Sequence, residues 1–199
     1  MIKNVLIAGV GGQGVNALSI VIQNACLNEG LYCKSSIFKG GAQKRGAIYS
    51  FIRIFENKND TVINFSGEIG GGELDVMISL EYIESLRYIK YYNRNTELLI
   101  NQNEVAFFSK RYNTELREIN PVEILNANYN NVRIEDFSMQ SKDFFGKEKM
   151  LNFVMGFEAV KTGLLPIGKE TFIDEFLKKN IVTENIKIKM KEYVDEGNK

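Results

Sequence analysis

The hydrophobic pattern changes period several times in the first hundred residues. Val5 to Val10 is a nearly continuous apolar run of strand character that breaks into Gly11-Gly12-Gln13-Gly14. The period then becomes helical: from Asn16 to Asn28, Leu18, Val21, Ile22 and Ala25 share one face, and Glu29-Gly30 is a plausible stop. Leu31 to Phe38 predicts a second strand, and Ala47 to Phe55, rich in β-branched and aromatic residues, a third. Glu56 to Asp60 is a polar turn, after which Thr61 to Phe65 is expected to return as a hairpin partner and make the sheet mixed. Asp75 to Leu80 predicts a buried strand, Tyr82 to Tyr92 a helix and Glu97 to Asn101 a short strand.

The pattern weakens further on. Pro121 to Leu125 opens a short helix, proline being favoured in a first turn, and the asparagine-rich stretch 126–131 reads as a loop. Lys149 to Thr162 carries a helical face through Met150, Phe153, Val154, Phe157 and Val160, and ends at Gly163 with Pro166 beyond. Helices over Lys169 to Lys179 and Thr183 to Val194 close the chain. With no internal repeat and no linker-like break, the expectation is an α/β protein forming a single layered domain over residues 1–199. It has a mostly parallel or mixed central sheet, a Rossmann-like first βα unit and a helical C-terminal flank.

Composition narrows the chemistry. A chain of 199 residues is long enough to bury about 70% of its unfolded surface without disulfide or metal staples. Lys plus Arg and Asp plus Glu number 25 each, so no global basic field points to nucleic acid. The chain has no histidine, which excludes a Ser-His-Asp triad, a Cys-His pair and His-ligated metal. Its two cysteines, Cys26 and Cys33, exclude a four-thiolate zinc or iron–sulfur site within this chain; no metal site is expected. The start lacks a signal-peptide pattern and no stretch of ~20 apolar residues follows, so the expected setting is the cytoplasm, away from membranes.

The candidate chemistry lies in glycine loops. Gly9, Gly11 and Gly14 fit G-x-G-x-x-G, in which successive glycines permit a tight turn, close approach of a ligand and close helix–strand packing. Backbone N–H groups at the following helix start would face an anion. A nicotinamide-binding unit also needs an acidic residue about 20 positions on, where this chain has Tyr32-Cys33-Lys34-Ser35-Ser36. The loop therefore leaves another phosphate compound, or packing alone, open. Lys39-Gly-Gly-Ala-Gln-Lys-Arg-Gly46 combines flexible backbone with cations, and its Arg45 guanidinium suits a carboxylate or phosphate; a solvated connector is the alternative. Gly67 to Asp75 reads as a plain loop, Cys26 as a packed thiol, and the Tyr88 to Tyr92 cluster as a snorkelling helix surface. No side chain stands out as catalytic.

Taken in order, Gly9-Val-Gly-Gly-Gln-Gly14, Lys39 to Gly46, Gly72-Glu-Leu-Asp-Val-Met-Ile-Ser-Leu-Glu81 and Asn152 to Pro166 with its Leu-Leu-Pro ending resemble the gamma-type subunit of 2-oxoacid:ferredoxin oxidoreductases. Leu80 to Ile89, followed by a short strand and asparagine, is most similar to the beta subunit of indolepyruvate ferredoxin oxidoreductase. The resemblance implies thiamine-dependent oxidative decarboxylation of a 2-oxoacid to acyl-coenzyme A with reduction of ferredoxin. Thiamine diphosphate and iron–sulfur clusters would sit on a partner subunit, none tightly bound by this chain, with coenzyme A as a co-substrate contacted here. Gly9, Gly11, Gly12, Gln13 and Gly14 match the family's first loop, while Gln43, Lys44, Arg45 and Gly46 approximate its second. The family often has His-Gly at Lys39-Gly40 and Gln-Arg-Gly-Gly where this chain has Gln43-Lys-Arg-Gly-Ala47, departures that imply a different substrate or a divergent paralogue. A stand-alone nucleotide- or coenzyme-binding protein and a non-catalytic interaction protein are the alternatives.

Overall fold

The computed structural model describes residues 2–40, 46–63, 66–102, 120–146, 148–179 and 183–196. Six strands form one sheet: β1 (Ile2–Val10), β2 (Tyr32–Lys39), β3 (Ala47–Phe55), β4 (Val76–Ser79), β5 (Glu97–Asn101) and β6 (Asn131–Glu135). Their spatial order is β2-β3-β1-β4-β5-β6. β1, β4, β5 and β6 pair in parallel, whereas β3 pairs antiparallel with both β1 and β2. β3 therefore runs against the other five. The first unit is strand, glycine loop and helix as expected, but β3 lies between β1 and β2, so the adjacent parallel pair of a dinucleotide-binding βαβ unit is not formed there.

The described helices are α1 (Val15–Asn28), α2 (Lys58–Ile63), α3 (Glu84–Arg87), α4 (Pro121–Asn128), α5 (Phe137–Phe145), α6 (Leu151–Lys161), α7 (Lys169–Leu177) and α8 (Glu184–Glu196). One sheet face, through Val5, Ile7, Ile52 and Ile78, packs on Leu18 and Ile22 of α1, Phe153 and Phe157 of α6 and Phe172 of α7. The other face, through Leu6, Ala8, Phe51, Met77 and Leu98, is covered by Tyr88, Tyr92 and Leu125. Successive strand residues point to opposite faces, so the uninterrupted apolar run of β1 serves two cores. Gly156 of α6 brings the first layer close, because a Cβ there would stand 2.5 Å from Leu18 Cδ1 and 2.6 Å from Phe172 Cζ.

The third and fifth strands have the bounds read from the pattern, and other predicted elements shift by a few residues. Four expectations fail. Thr61 to Phe65 is not a hairpin strand: Lys58–Ile63 is a short helix, and residues 64–65 lie outside the described set. β3 already has a partner on each side, so no edge is open to a returning strand. Tyr82 to Tyr92 is not one helix, since α3 gives way to a 3-10 turn over Ile89–Tyr91 closed by Tyr91 N–H to Tyr88 O and Tyr92 N–H to Ile89 O. Nor is the tyrosine cluster a snorkelling surface: Tyr88 and Tyr92 are buried, and the Tyr92 hydroxyl donates to Ser85 O at 2.6 Å. Finally, 126–131 is not all loop. α4 continues to Asn128, and Asn131 opens β6, which pairs with β5.

Candidate functional site

The first glycine loop and the two ends of the second, Lys39-Gly40 and Gly46, meet at one edge of the sheet. β1 and β2 run in the same direction, so the first loop leaves the C-terminal end of β1 beside the place where chain leaves β2 and re-enters β3. The register pairs Val10 with Ala47 and Lys39 with Ile48, and Gly40 N–H donates to Ala47 O at 2.7 Å. Gly11 N–H donates to Gly46 O at 2.9 Å and ties the first loop to the end of the second. Gln43, Lys44 and Arg45 lie outside the described residues. In open α/β sheets the C-terminal edge of the parallel strands is where ligands bind.

Within the first loop the glycines have separate jobs. Gly12 has φ +101° and open space where a Cβ would stand, so it faces outward in the left-handed region that favours glycine. Gly14, with φ +87°, backs onto α6: a Cβ there would lie 2.8 Å from Asn152 Cγ and closer still to its Nδ2. Asn152 Nδ2 donates to Gly14 O at 3.4 Å. Gly9 clears room for Gln13, because its Cβ would meet Gln13 Oε1 at 2.7 Å and Leu80 Cβ at 3.1 Å. Gly11 is not among the positive-φ glycines; its fixed feature is its hydrogen bond to Gly46.

The Gln13 side chain is bonded within the fold. Its Oε1 accepts the Val10 N–H at 2.8 Å, its Nε2 donates to Leu80 O at 2.9 Å, and its backbone N–H bonds Val10 O at 3.1 Å. The side chain staples the loop to the strand end of β4, and the groups left facing out are backbone. α1 begins at Gly14 with neither a side-chain cap nor an acidic residue in its first turn. Its leading N–H groups and positive dipole end are thus free of a local carboxylate, the arrangement that receives a phosphate or carboxylate.

The same edge holds polar residues that the sequence did not single out. Asn101, fully buried at the end of β5, donates from Nδ2 to Leu80 O at 3.1 Å and to Ser138 Oγ at 2.9 Å. Glu81 is buried just after β4, where its Oε2 accepts the Glu84 N–H at 2.8 Å and its carbonyl accepts the Ser79 hydroxyl at 2.6 Å. Glu84 is buried too and forms a two-point ion pair with Arg87, at 2.8 and 3.0 Å. Burial, with Glu84 adding to it, pushes the Tyr88 phenol well above its ordinary range. Periodicity hides a buried carboxylate beside a strand end: Glu81 falls between the predicted strand and the predicted helix, and Glu84 is in the first turn of the latter.

Cys26 is packed as expected, and burial pushes its thiol up to about 12, while burial also raises Cys33. Neither is a ready thiolate at neutral pH. Among the described residues no cluster of three His, Cys, Asp or Glu could hold a metal ion, and no described helix is long and apolar enough to cross a membrane.

Comparison with known proteins places this architecture. Residues 4–191 match the pyruvate ferredoxin/flavodoxin oxidoreductase family. Indolepyruvate oxidoreductase subunit IorB of Archaeoglobus fulgidus is 27% identical over 195 residues, covering 92% of this chain and 90% of that protein. IorB of Methanothermobacter thermautotrophicus is 23% identical over 197 residues, covering 96% and 94%. The gamma subunit of a keto/oxoacid ferredoxin oxidoreductase from Geobacter sulfurreducens shares the fold with a TM-score of 0.66 at 17% identity, covering 96% of this chain and 91% of that one. A 2-oxoglutarate:ferredoxin oxidoreductase from Magnetococcus marinus, solved with 2-oxoglutarate, coenzyme A and succinyl-CoA bound, gives 0.70 at 16% identity; this chain is covered to 99% but spans 30% of that one. With the match running from the first strand into the last helix, and with relatives that are oxidoreductase subunits of nearly its own length, the chain belongs to the pyruvate ferredoxin/flavodoxin oxidoreductase family and is similar to its IorB subunits.

Proposed function

We propose that this chain, folded as a single domain over residues 1–199, is the gamma-type subunit of a heteromeric, cytoplasmic 2-oxoacid:ferredoxin oxidoreductase that acts on an aryl 2-oxoacid such as indolepyruvate. In the overall reaction the bond between the carboxyl and carbonyl carbons breaks and carbon dioxide leaves. The acyl carbon joins the sulfur of coenzyme A, the thiol proton is released, and two electrons reduce two ferredoxins. Thiamine diphosphate and the clusters supply the carbanion and electron-transfer chemistry from the partner subunit; two cysteines, one buried with its thiol pushed up to about 12, do not fit a cluster in this chain. The family match across residues 4–191, which spans both glycine loops, carries the reading.

This chain's own part is to receive an anion. The uncapped start of α1 and the open space beside Gly12 suit a phosphate of coenzyme A, and Gln43, Lys44, Arg45 and Gly46 are the second-loop residues assigned to the same ligand. Gly9, Gln13 and Gly14 hold the first loop in shape.

Co-expression with the thiamine- and cluster-bearing partner tests the assignment. Reduction of ferredoxin should require both proteins, an aryl 2-oxoacid and coenzyme A. Failure to form a complex would refute the subunit reading, and preference for pyruvate or 2-oxoglutarate would refute the aryl substrate. Arg45→Lys keeps the charge but loses the two-pronged hydrogen bond, and should lower coenzyme A-dependent turnover about tenfold, equivalent to ~1.4 kcal/mol. Lys44→Ala should do less; equal and negligible effects would leave the second loop a connector.

A further inference from the structure

The carbonyl of Leu80 is a junction for segments far apart in sequence. It accepts Gln13 Nε2 at 2.9 Å from the glycine loop and Asn101 Nδ2 at 3.1 Å from the end of β5. The Leu80 N–H is itself fixed by Ala8 O at 2.8 Å. The Asn101 carboxamide is fully engaged: Nδ2 also donates to Ser138 Oγ at 2.9 Å, and Oδ1 accepts the Ser138 N–H at 3.1 Å. Ser138 is buried in the first turn of α5, whose start is capped by Asp136 accepting the Met139 N–H at 2.8 Å. One hydrogen-bonded chain therefore runs from Val10 N–H through Gln13, Leu80 O and Asn101 to the start of α5.

An asparagine at a fully buried strand end would be costly unless its amide nitrogen and oxygen were hydrogen-bonded, and here two other segments bond them. The glycine loop has no side chain of its own to fix its position apart from Gln13, because its other members are Gly11, Gly12 and Gly14. Gln13 and Asn101 thus share Leu80 O as acceptor.

We propose that Asn101 is a positioning residue: with Ser138 it holds Leu80 O, and through it Gln13, so that the loop leading into α1 keeps the geometry in which the first amides of that helix receive an anion. The link to coenzyme A rests on the function proposed above; the positioning itself does not. Asn101→Asp is isosteric but removes both donors and sets carboxylate oxygen against Leu80 O. Ser138→Ala is a milder second variant that removes only the hydroxyl. Thr96→Val, at the residue that precedes β5, is the control, because Thr96 is also buried and its hydroxyl donates to a carbonyl, Leu74 O at 2.8 Å, at the opposite end of that strand.

The experiment compares amide hydrogen exchange in the free chain with the KM for coenzyme A in the reconstituted complex, the variants being matched by thermal midpoint. Gly11 and Gln13 amides, protected by Gly46 O and Val10 O, should exchange at least tenfold faster in Asn101→Asp, and measurably faster in Ser138→Ala, than in Thr96→Val. The KM for coenzyme A should rise about tenfold in Asn101→Asp, with kcat changed less than twofold. Loop exchange equal to that of the Thr96→Val control would overturn the positioning role. Faster loop exchange with an unchanged KM would uphold the positioning role and overturn the coenzyme A reading of the loop.

Discussion

Replacing Gly14 by alanine tests how the first loop is held against the rest of the fold. Two separate costs arise. A side chain at φ +87° occupies the left-handed region at about 1–3 kcal/mol. Its Cβ would also stand 2.8 Å from Asn152 Cγ, on a helix packed into the core, so α6 or the loop must shift at a further ~1–3 kcal/mol. Gly12→Ala separates them, since Gly12 has φ +101° but open space, and should bear the backbone cost alone. In a domain of this size each kcal/mol moves the thermal midpoint by about 2–4 °C. Gly12→Ala should therefore lower it by several degrees and Gly14→Ala by roughly twice as much. Asn152→Ala removes the obstructing carboxamide, the long 3.4 Å bond to Gly14 O and the 3.0 Å acceptor for the Phe153 N–H in the first turn of α6, so alone it should cost about 1 kcal/mol. Combined with Gly14→Ala it should return the double variant to within about 1 kcal/mol of Gly12→Ala, a coupling of about 1–3 kcal/mol by urea or thermal unfolding. Additive single effects, or a Gly14→Ala no worse than Gly12→Ala, would refute the packing argument.

Other outcomes follow from geometry already given. Gly156→Ala adds up to ~1 kcal/mol of helix propensity but places a methyl between Leu18 and Phe172 at 2.5–2.6 Å, so unfolding should show a net loss of about 1 kcal/mol or more; a stabilised variant would mean the α1–α6–α7 layer yields freely. Alkylation followed by mass spectrometry at pH 8 should label half-buried Cys33 well before Cys26, whose thiol is pushed up to about 12, and Cys26 should react at a normal rate only once the chain is unfolded. The Arg133 guanidinium bonded to Glu135 holds that carboxyl below its ordinary range, against the opposing effect of burial. A lowered carboxyl contributes stability above the unfolded-state value and loses it as pH falls through the folded one. Glu135→Gln should thus cost a modest amount at pH 7, under about 1 kcal/mol for so exposed a pair, and nothing at pH 2. An equal deficit at both pH values would contradict the assignment.

The sequence was most informative where one local signal sufficed. The apolar run into glycine and then into 3.6-residue periodicity located β1, the loop and α1, and the β-branched and aromatic density of Ala47 to Phe55 located β3 to the residue. β6 escaped notice because Asn131, Arg133 and Glu135 alternate with only two apolar residues, as suits an edge strand with one neighbour. α5 escaped for a related reason: of its residues Phe137, Ser138, Ser141 and Phe145 are buried, and two of those four are serines. At the site, G-x-G-x-x-G spacing marked the loop but not the work of Gln13. Its partner Leu80 is 67 residues away and becomes adjacent only because β4 pairs with β1. Asn152 against Gly14, 138 residues apart, is beyond local pattern for the same reason.

The lone reversed strand has a consequence for how such a subunit can diversify. Because β3 runs back between β2 and β1, the connection that carries Gln43, Lys44 and Arg45 starts and ends at the sheet edge from which α1 also departs. Its two ends are clamped by Phe38 opposite Tyr49, by Gly40 N–H on Ala47 O and by Gly46 O on Gly11 N–H. Residues between those clamps can be exchanged, added or removed without shifting the register of any strand. The sequence between the clamps can therefore vary beside the first glycine loop while the rest of the sheet keeps its pairing.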